Sequence, residues 1–214
     1  MKRHLRSDTT SVWIGDVRES TQKLRLKLKP GHESGFLAIF QQGVYLETQA
    51  GLPLAQVLEE AGFSRKYLED KVQTVFLDGS AVDDLDSAIV EGGSVIALSA
   101  AMPGLAGAIL RKGSPILALR SKTASETGGP RRTGDTLHAI RLKLFNMIAV
   151  EIGPGLLRKG ILVKRSDFED FLSSRRGLPE DAVLEAELDG APVSPAELFG
   201  GKSIGSDYIA LQTV

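Results

Sequence analysis

The 214-residue chain predicts an α+β protein made from one unit repeated, each copy laying a helix across one face of a mixed sheet. Three observations carry that expectation. Apolar and basic residues alternate at Leu24–Leu28 and again at Ile140–Leu144. A strand runs into an Asp-Gly turn at Leu77-Asp78-Gly79 and again at Leu188-Asp189-Gly190. Between these two features, each copy holds one amphipathic helical stretch.

In the first copy, QKLRLKLKP sets Leu24, Leu26 and Leu28 on one side and Arg25, Lys27 and Lys29 on the other, the period of a half-buried strand. FLAIFQQGVYLET, residues 36–48, places two β-rich runs around Gly43 and predicts a hairpin. LPLAQVLEEAGF then spaces Leu54, Val57, Leu58 and Ala61 along one helix face, and Gly62 predicts the stop. VQTVFLDG (72–79) reads as a strand entering the Asp-Gly turn. VIAL (95–98) is a last strand, reached through Gly92-Gly93.

The second copy keeps this order. IRLKL (140–144) matches LRLKL (24–28) at an offset of 116. GLLRKGILVKR (155–165) takes the place of the hairpin, with Gly160 answering Gly43. In SDFEDFLSSR, Ser166 and Glu169 predict a capping box, and Phe168, Phe171 and Leu172 share one helix face. Leu188-Asp189-Gly190 with Val193 repeats Leu77-Asp78-Gly79 with Val82 at an offset of 111. Gly200-Gly201 and Ile209-Ala210-Leu211 answer Gly92-Gly93 and Ile96-Ala97-Leu98. Loop insertions account for the drifting offsets. The expected organisation is an N-terminal extension (1–21), a first domain (22–102), a connector (103–136) and a second domain (137–214).

The element order, the strand-Asp-Gly-x-x-Val turn and the following Gly-Gly-x-x-Ile-Ala-Leu resemble the ubiquitin-like β-grasp superfamily, nearest the small sulfur-carrier proteins of molybdopterin and thiamine synthesis. The resemblance implies two tandem β-grasp domains with one main helix each. It also implies a glycine tail whose terminal carboxylate is activated, and there the chain departs from the family. Ala108 stands where the first copy's last glycine belongs, and 106 residues follow it. The second copy ends in Ile209-Ala210-Leu211-Gln212-Thr213-Val214, without glycine. A carrier role for sulfur or acyl groups therefore requires processing, for which Gly128-Gly129 before Pro130 offers a site. The same stretch, TASETGGPRRTG, has the composition of a linker.

The chain holds no cysteine, which removes disulfides, thiolate nucleophiles and Cys-based metal sites. A net charge of −1 gives no global pull toward nucleic acid, and no apolar run reaches the length of a membrane span. MKRHLRSDTTSVWIGDV lacks the apolar stretch of a secretory signal, so a cytoplasmic location is expected. Gly201-Lys202-Ser203-Ile204-Gly205 resembles a nucleophile elbow and a phosphate loop. It lacks a later His for the first and the upstream glycine, Ala196 instead, for the second. His4, His32 and His138 have no ligand spacing, and Asp83-Asp84-Leu85-Asp86 reads as an Asp-capped turn.

No catalytic, cofactor or metal residues are assigned, and an enzyme is not expected. The connector carries six basic and two acidic residues, whereas 22–102 carries seven basic and eleven acidic. Arg111-Lys112-Gly113 in the connector is echoed by Arg158-Lys159-Gly160. These two turns are the candidate partner- or anion-binding sites, through Arg111, Lys112, Arg158 and Lys159. The function expected is a non-catalytic adaptor with a protein partner, without membrane or nucleic acid. A processed carrier and a small-anion or nucleotide binder are the alternatives.

Overall fold

A computed structural model describes residues 21–100, 137–174, 177–201 and 204–214. The first copy runs β1 (Thr21–Leu28), a 3-10 turn (His32–Phe36) into α1 (Leu37–Gln42), β2 (Val44–Gln49), β3 (Leu52–Pro53), α2 (Leu54–Ala61) and α3 (Arg65–Asp70). It continues through β4 (Thr74–Leu77), β5 (Ser80–Ala81) and β6 (Ile89–Val90) to β7 (Val95–Ser99). The second runs β8 (Leu137–Phe145), α4 (Asn146–Lys159), β9 (Ile161–Lys164), α5 (Arg165–Ser173), β10 (Val183–Leu188), β11 (Ala191–Val193), α6 (Pro195–Phe199) and β12 (Tyr208–Thr213). Both copies thus share the order strand, helix, strand, helix, two hairpin strands, last strand.

Two sequence expectations are corrected. The hairpins around Gly43 and Gly160 are absent; helices α1 and α4 occupy those places, and each turns directly into a strand at its glycine. Gly43 (φ 116°, ψ 134°) and Gly160 (φ 101°, ψ 134°) share a conformation that side-chain-bearing residues rarely adopt. It lets helix give way to strand within one residue. The β-rich composition of 36–40 yields to packing: Phe36, Ile39 and Phe40, at helical spacing, are fully buried. The second correction concerns the capping box. Helix α5 starts at Arg165 after an uncapped Lys164, so Ser166 lies inside its first turn. The box forms at α6, where Glu197 N–H donates to Ser194 Oγ (3.3 Å) and Ser194 N–H to Glu197 Oε2 (3.0 Å).

The copies are interleaved in one ten-stranded mixed sheet, ordered β11-β10-β1-β12-β9-β2-β8-β7-β4-β5. Strand β1 of the first copy inserts between β10 and β12 of the second, antiparallel to one and parallel to the other. Strand β8 of the second copy inserts between β7 and β2 of the first. Each copy's first strand is therefore seated among the other copy's strands.

The repeated Asp-Gly turns fix the strand beside them. Asp78 (φ 51°) accepts Val95 N–H at 2.7 Å and donates its own N–H to Val95 O at 2.9 Å. Asp189 (φ 52°) makes the same pair with Lys23, at 2.8 Å and 2.8 Å. The latched strand is β7, the first copy's own last strand, in one half, and β1, the other copy's first strand, in the other.

Alternation decides which face is buried. Leu24, Leu26, Ile140, Leu142, Ile96, Leu98, Ile209 and Leu211 join one core with the apolar faces of the six helices. Phe36 and Phe171 meet in it at 5.1 Å between ring centroids. Each such ring contributes about 2–3 kcal/mol through burial. The opposite set of strand residues forms the sheet's other face, open among the described residues. On the second half it carries cross-strand pairs such as Lys27–Glu185 and Arg25–Glu187, too exposed for either to contribute more than about 1 kcal/mol.

Candidate functional site

The two halves of the sheet meet at a single ladder pair, Tyr45 opposite Leu162. On its other side Tyr45 stands opposite Arg141 of β8. The same open face receives Lys164 from β9 and Tyr208 from β12, which are themselves paired. The rings of Tyr45 and Tyr208 meet edge to face at 5.8 Å and 87°. Two cations lie on Tyr45: the Arg141 guanidinium at 5.6 Å and the Lys164 ammonium at 5.9 Å from its ring centre.

Arg141 is anchored by one ion pair and lodged against Gly43. Its Nη2 donates to Asp167 Oδ2 at 3.1 Å, in an ion pair with side chains 29% and 23% exposed. Its Nε is buried without a hydrogen-bond partner. A Cβ at Gly43 would lie 2.6 Å from that nitrogen, so the same glycine that ends α1 makes room for the guanidinium. Burial pushes the pKa of the Tyr208 hydroxyl up, keeping it protonated and a hydrogen-bond donor.

Beyond Tyr45 and Leu162 the strands part. Leu46 to Gln49 pair with β8 but not with β9. The opening is flanked by two cavities. On the open face a cleft of about 640 Å³ is lined by Thr21, Lys23, Tyr45, Leu162 and Ala210. On the helix side a pocket of about 170 Å³ is lined by Val57, Ala61, Ile140 and Leu156. Leu46, Glu47, Lys159 and Gly160 border both.

Of the residues singled out from sequence, Arg111 and Lys112 lie outside the described residues. Arg158 and Lys159 form the last turn of α4. There Gly160 N–H bonds back to the carbonyls of Leu156 (2.9 Å) and Leu157 (3.2 Å), and Gln212 Nε2 donates to Arg158 O at 2.9 Å. That N–H is committed to closing the helix. Lys159 donates to Ala61 O at 3.4 Å, placing a cation at the negative end of α2, and from there it borders the opening.

The acidic turn behaves as its sequence predicts. Asp84 Oδ1 accepts the N–H groups of Asp86 (2.9 Å) and Ser87 (3.4 Å), and the Asp86 bond leads in holding the Asp84 carboxyl below its ordinary pKa. Asp86 pairs with Arg65. Among the described residues no group of three or more His, Asp or Glu is placed to hold a metal ion. Lys202 and Ser203 of the Gly-Lys-Ser string lie outside the described residues.

The seam cluster has no linear signature. Tyr45, Arg141, Lys164 and Tyr208 come from four strands, and 163 positions separate the two tyrosines. Among the described residues no helix is long and apolar enough to cross a membrane. No family of known proteins matches the chain, and neither does any curated protein or solved structure.

Proposed function

We propose that the chain is a non-catalytic adaptor built from duplicated ubiquitin-like units, and that it docks an acidic protein partner at the seam on its open sheet face. The observation that carries the reading is the partly buried Tyr45–Tyr208 pair with Arg141 against it. Tyr and Arg are enriched at binding hot spots, Tyr adding large contact area at low entropic cost and Arg directional hydrogen bonds. Arg141 and the tyrosines are already restrained, so a partner orders few side chains on binding. Lys143, on the same face of β8 as Arg141, and Lys164 beside Tyr45 add positive charge there, the charge that steers an acidic partner and sets its register. The ubiquitin-like relation is supported by what both halves repeat: a latched Asp-Gly hairpin, a parallel central pair of strands, and a helix between β2 and β4 or β9 and β10.

Capture with a tagged full-length bait, its intact mass read in the same run, tests the reading. A bait of 22.9 kDa plus its tag that retains a stoichiometric partner is expected. The double variant Tyr45→Ala/Arg141→Ala should release that partner while unfolding cooperatively like the wild type. A bait ending at Gly129, or joined through that terminus to another molecule, would replace the adaptor by a processed carrier.

A further inference from the structure

We infer that the acidic group received at the seam is a phosphate monoester carried on a side chain of the partner protein; the inference rests on the docking reading above. The first ground is the charge left over. Arg141 is matched by Asp167 at 3.1 Å and Arg165 by Asp207 at 3.9 Å. Glu47, two residues along β2 from Tyr45, has an interaction of its own. Lys143 and Lys164 take part in no ion pair or hydrogen bond among the described residues. Two positive charges therefore stand uncompensated. A carboxylate neutralises one of them, whereas a phosphate monoester, carrying about −1.5 to −2 at pH 7, neutralises both.

The second ground is geometry. Strand β2 stands between β8 and β9 in the sheet. From β8, Arg141 and Lys143 crowd Gly43: a Cβ there would lie 2.6 Å from Arg141 Nε and 3.1 Å from Lys143 Cγ. From β9, the Lys164 ammonium reaches to 5.9 Å from the Tyr45 ring centre. Strands two places apart lie roughly 10 Å from each other, a gap that lysine side chains from both sides close on one tetrahedral anion. Arg141 keeps donor capacity, since its Nε has no acceptor, and the Tyr208 hydroxyl is held protonated. These add directional hydrogen bonds to the two point charges, the combination that suits a phosphate with three acceptor oxygens. The third ground places the phosphate on a protein. Val95 and Ala97 of β7 stand opposite Arg141 and Lys143, and Phe76 of β4 stands opposite Ala97. All three are partly buried, so an apolar strip runs on from the cations and gives the host of the phosphate a surface to rest on.

The probes are capped alanine peptides with one central phosphoserine or phosphotyrosine, titrated into the full-length protein labelled for amide NMR. Their glutamate and unphosphorylated counterparts and inorganic phosphate are the controls. The inference expects saturable shifts at Tyr45, Arg141–Lys143, Lys164 and Tyr208, with a phosphopeptide binding roughly tenfold more tightly than the glutamate peptide or inorganic phosphate. Lys143→Gln/Lys164→Gln should weaken that binding roughly tenfold with Tm unchanged, and Arg141→Lys should weaken it by a few-fold. Silence at those amides with both phosphopeptides overturns the inference, as does equal binding of the glutamate peptide. Inorganic phosphate binding as tightly as either phosphopeptide marks a small-anion site and overturns it as well. Phosphatase treatment of the lysate before capture separates this inference from the docking reading. A partner lost both on treatment and in Tyr45→Ala/Arg141→Ala agrees with the two together. A partner kept after treatment but lost in that variant removes the phosphate and leaves the docking reading standing. A partner kept by the variant removes the docking reading and this inference with it.

Discussion

Replacing Asp189 by alanine takes away the latch that holds the first copy's opening strand in the second copy's sheet. Three contributions are lost together. Lys23 N–H loses an acceptor at 2.8 Å and Gln22 Nε2 one at 3.0 Å. Alanine must also hold the left-handed φ of 52° that Asp tolerates better, at about 1 kcal/mol. The turn is exposed, so water replaces part of each hydrogen bond, and about 0.5–1 kcal/mol for each is a fair net value. The sum is about 2–3 kcal/mol, or roughly 4–10 °C in Tm for a chain of this size. Asp189→Asn keeps the backbone conformation and one acceptor and should cost about half. Thermal and urea unfolding at pH 7 measure both. The Asp189 carboxyl is held below its ordinary pKa chiefly by Lys23 N–H and then by Gln22. Its contribution is therefore complete above the unfolded carboxyl pKa of about 3.9 and fades as pH falls through the lower folded value. The gap between wild type and Asp189→Asn should narrow as pH drops from 5 toward 2. A loss under about 0.5 kcal/mol at pH 7, or a gap indifferent to pH, refutes the latch.

Other predictions follow from single features. Asp78→Ala, which breaks the equivalent bonds to Val95 and Ser94, should cost about as much as Asp189→Ala in the same unfolding series. Gly153→Ala puts a Cβ 2.8 Å from the buried Phe40 ring, so a loss of about 1–2 kcal/mol is expected by calorimetry despite alanine's better helix propensity. Gly160→Ala forces a side chain into φ 101° and should lower Tm by several degrees. Gly43→Ala, which also meets Arg141, should lower it further. A protease site inserted after Gly129 should give two fragments that coelute in native chromatography and separate only in denaturant, because β1 and β8 are exchanged between them.

Local features were the legible ones. The alternation in QKLRLKL and IRLKL, the Asp-Gly turns and the helix ending at Gly62 each rest on a few consecutive residues, and each is where the sequence puts it. The segment at 36–42 misled because Phe and Ile favour strands in isolation. Its spacing of Phe36, Ile39 and Phe40 was already helical, and burial decided between the two. The segment before Gly160 misled for a related reason: Gly153, Pro154 and Gly155 argue against the helix that packing on Phe40 imposes. The exchange of β1 and β8 was beyond reach, since strand neighbours far apart in sequence leave no local trace. The same holds for the seam cluster, whose members the exchange brings together.

The most direct test of the account is amide hydrogen exchange on the captured complex against the free chain. Docking at the seam predicts new protection at Tyr45–Gln49, Arg141–Lys143, Leu162–Lys164 and Tyr208–Ala210, with the helical face at Leu54–Asp70 unchanged. Protection confined to that helical face, with the seam exchanging as in the free protein, would contradict it.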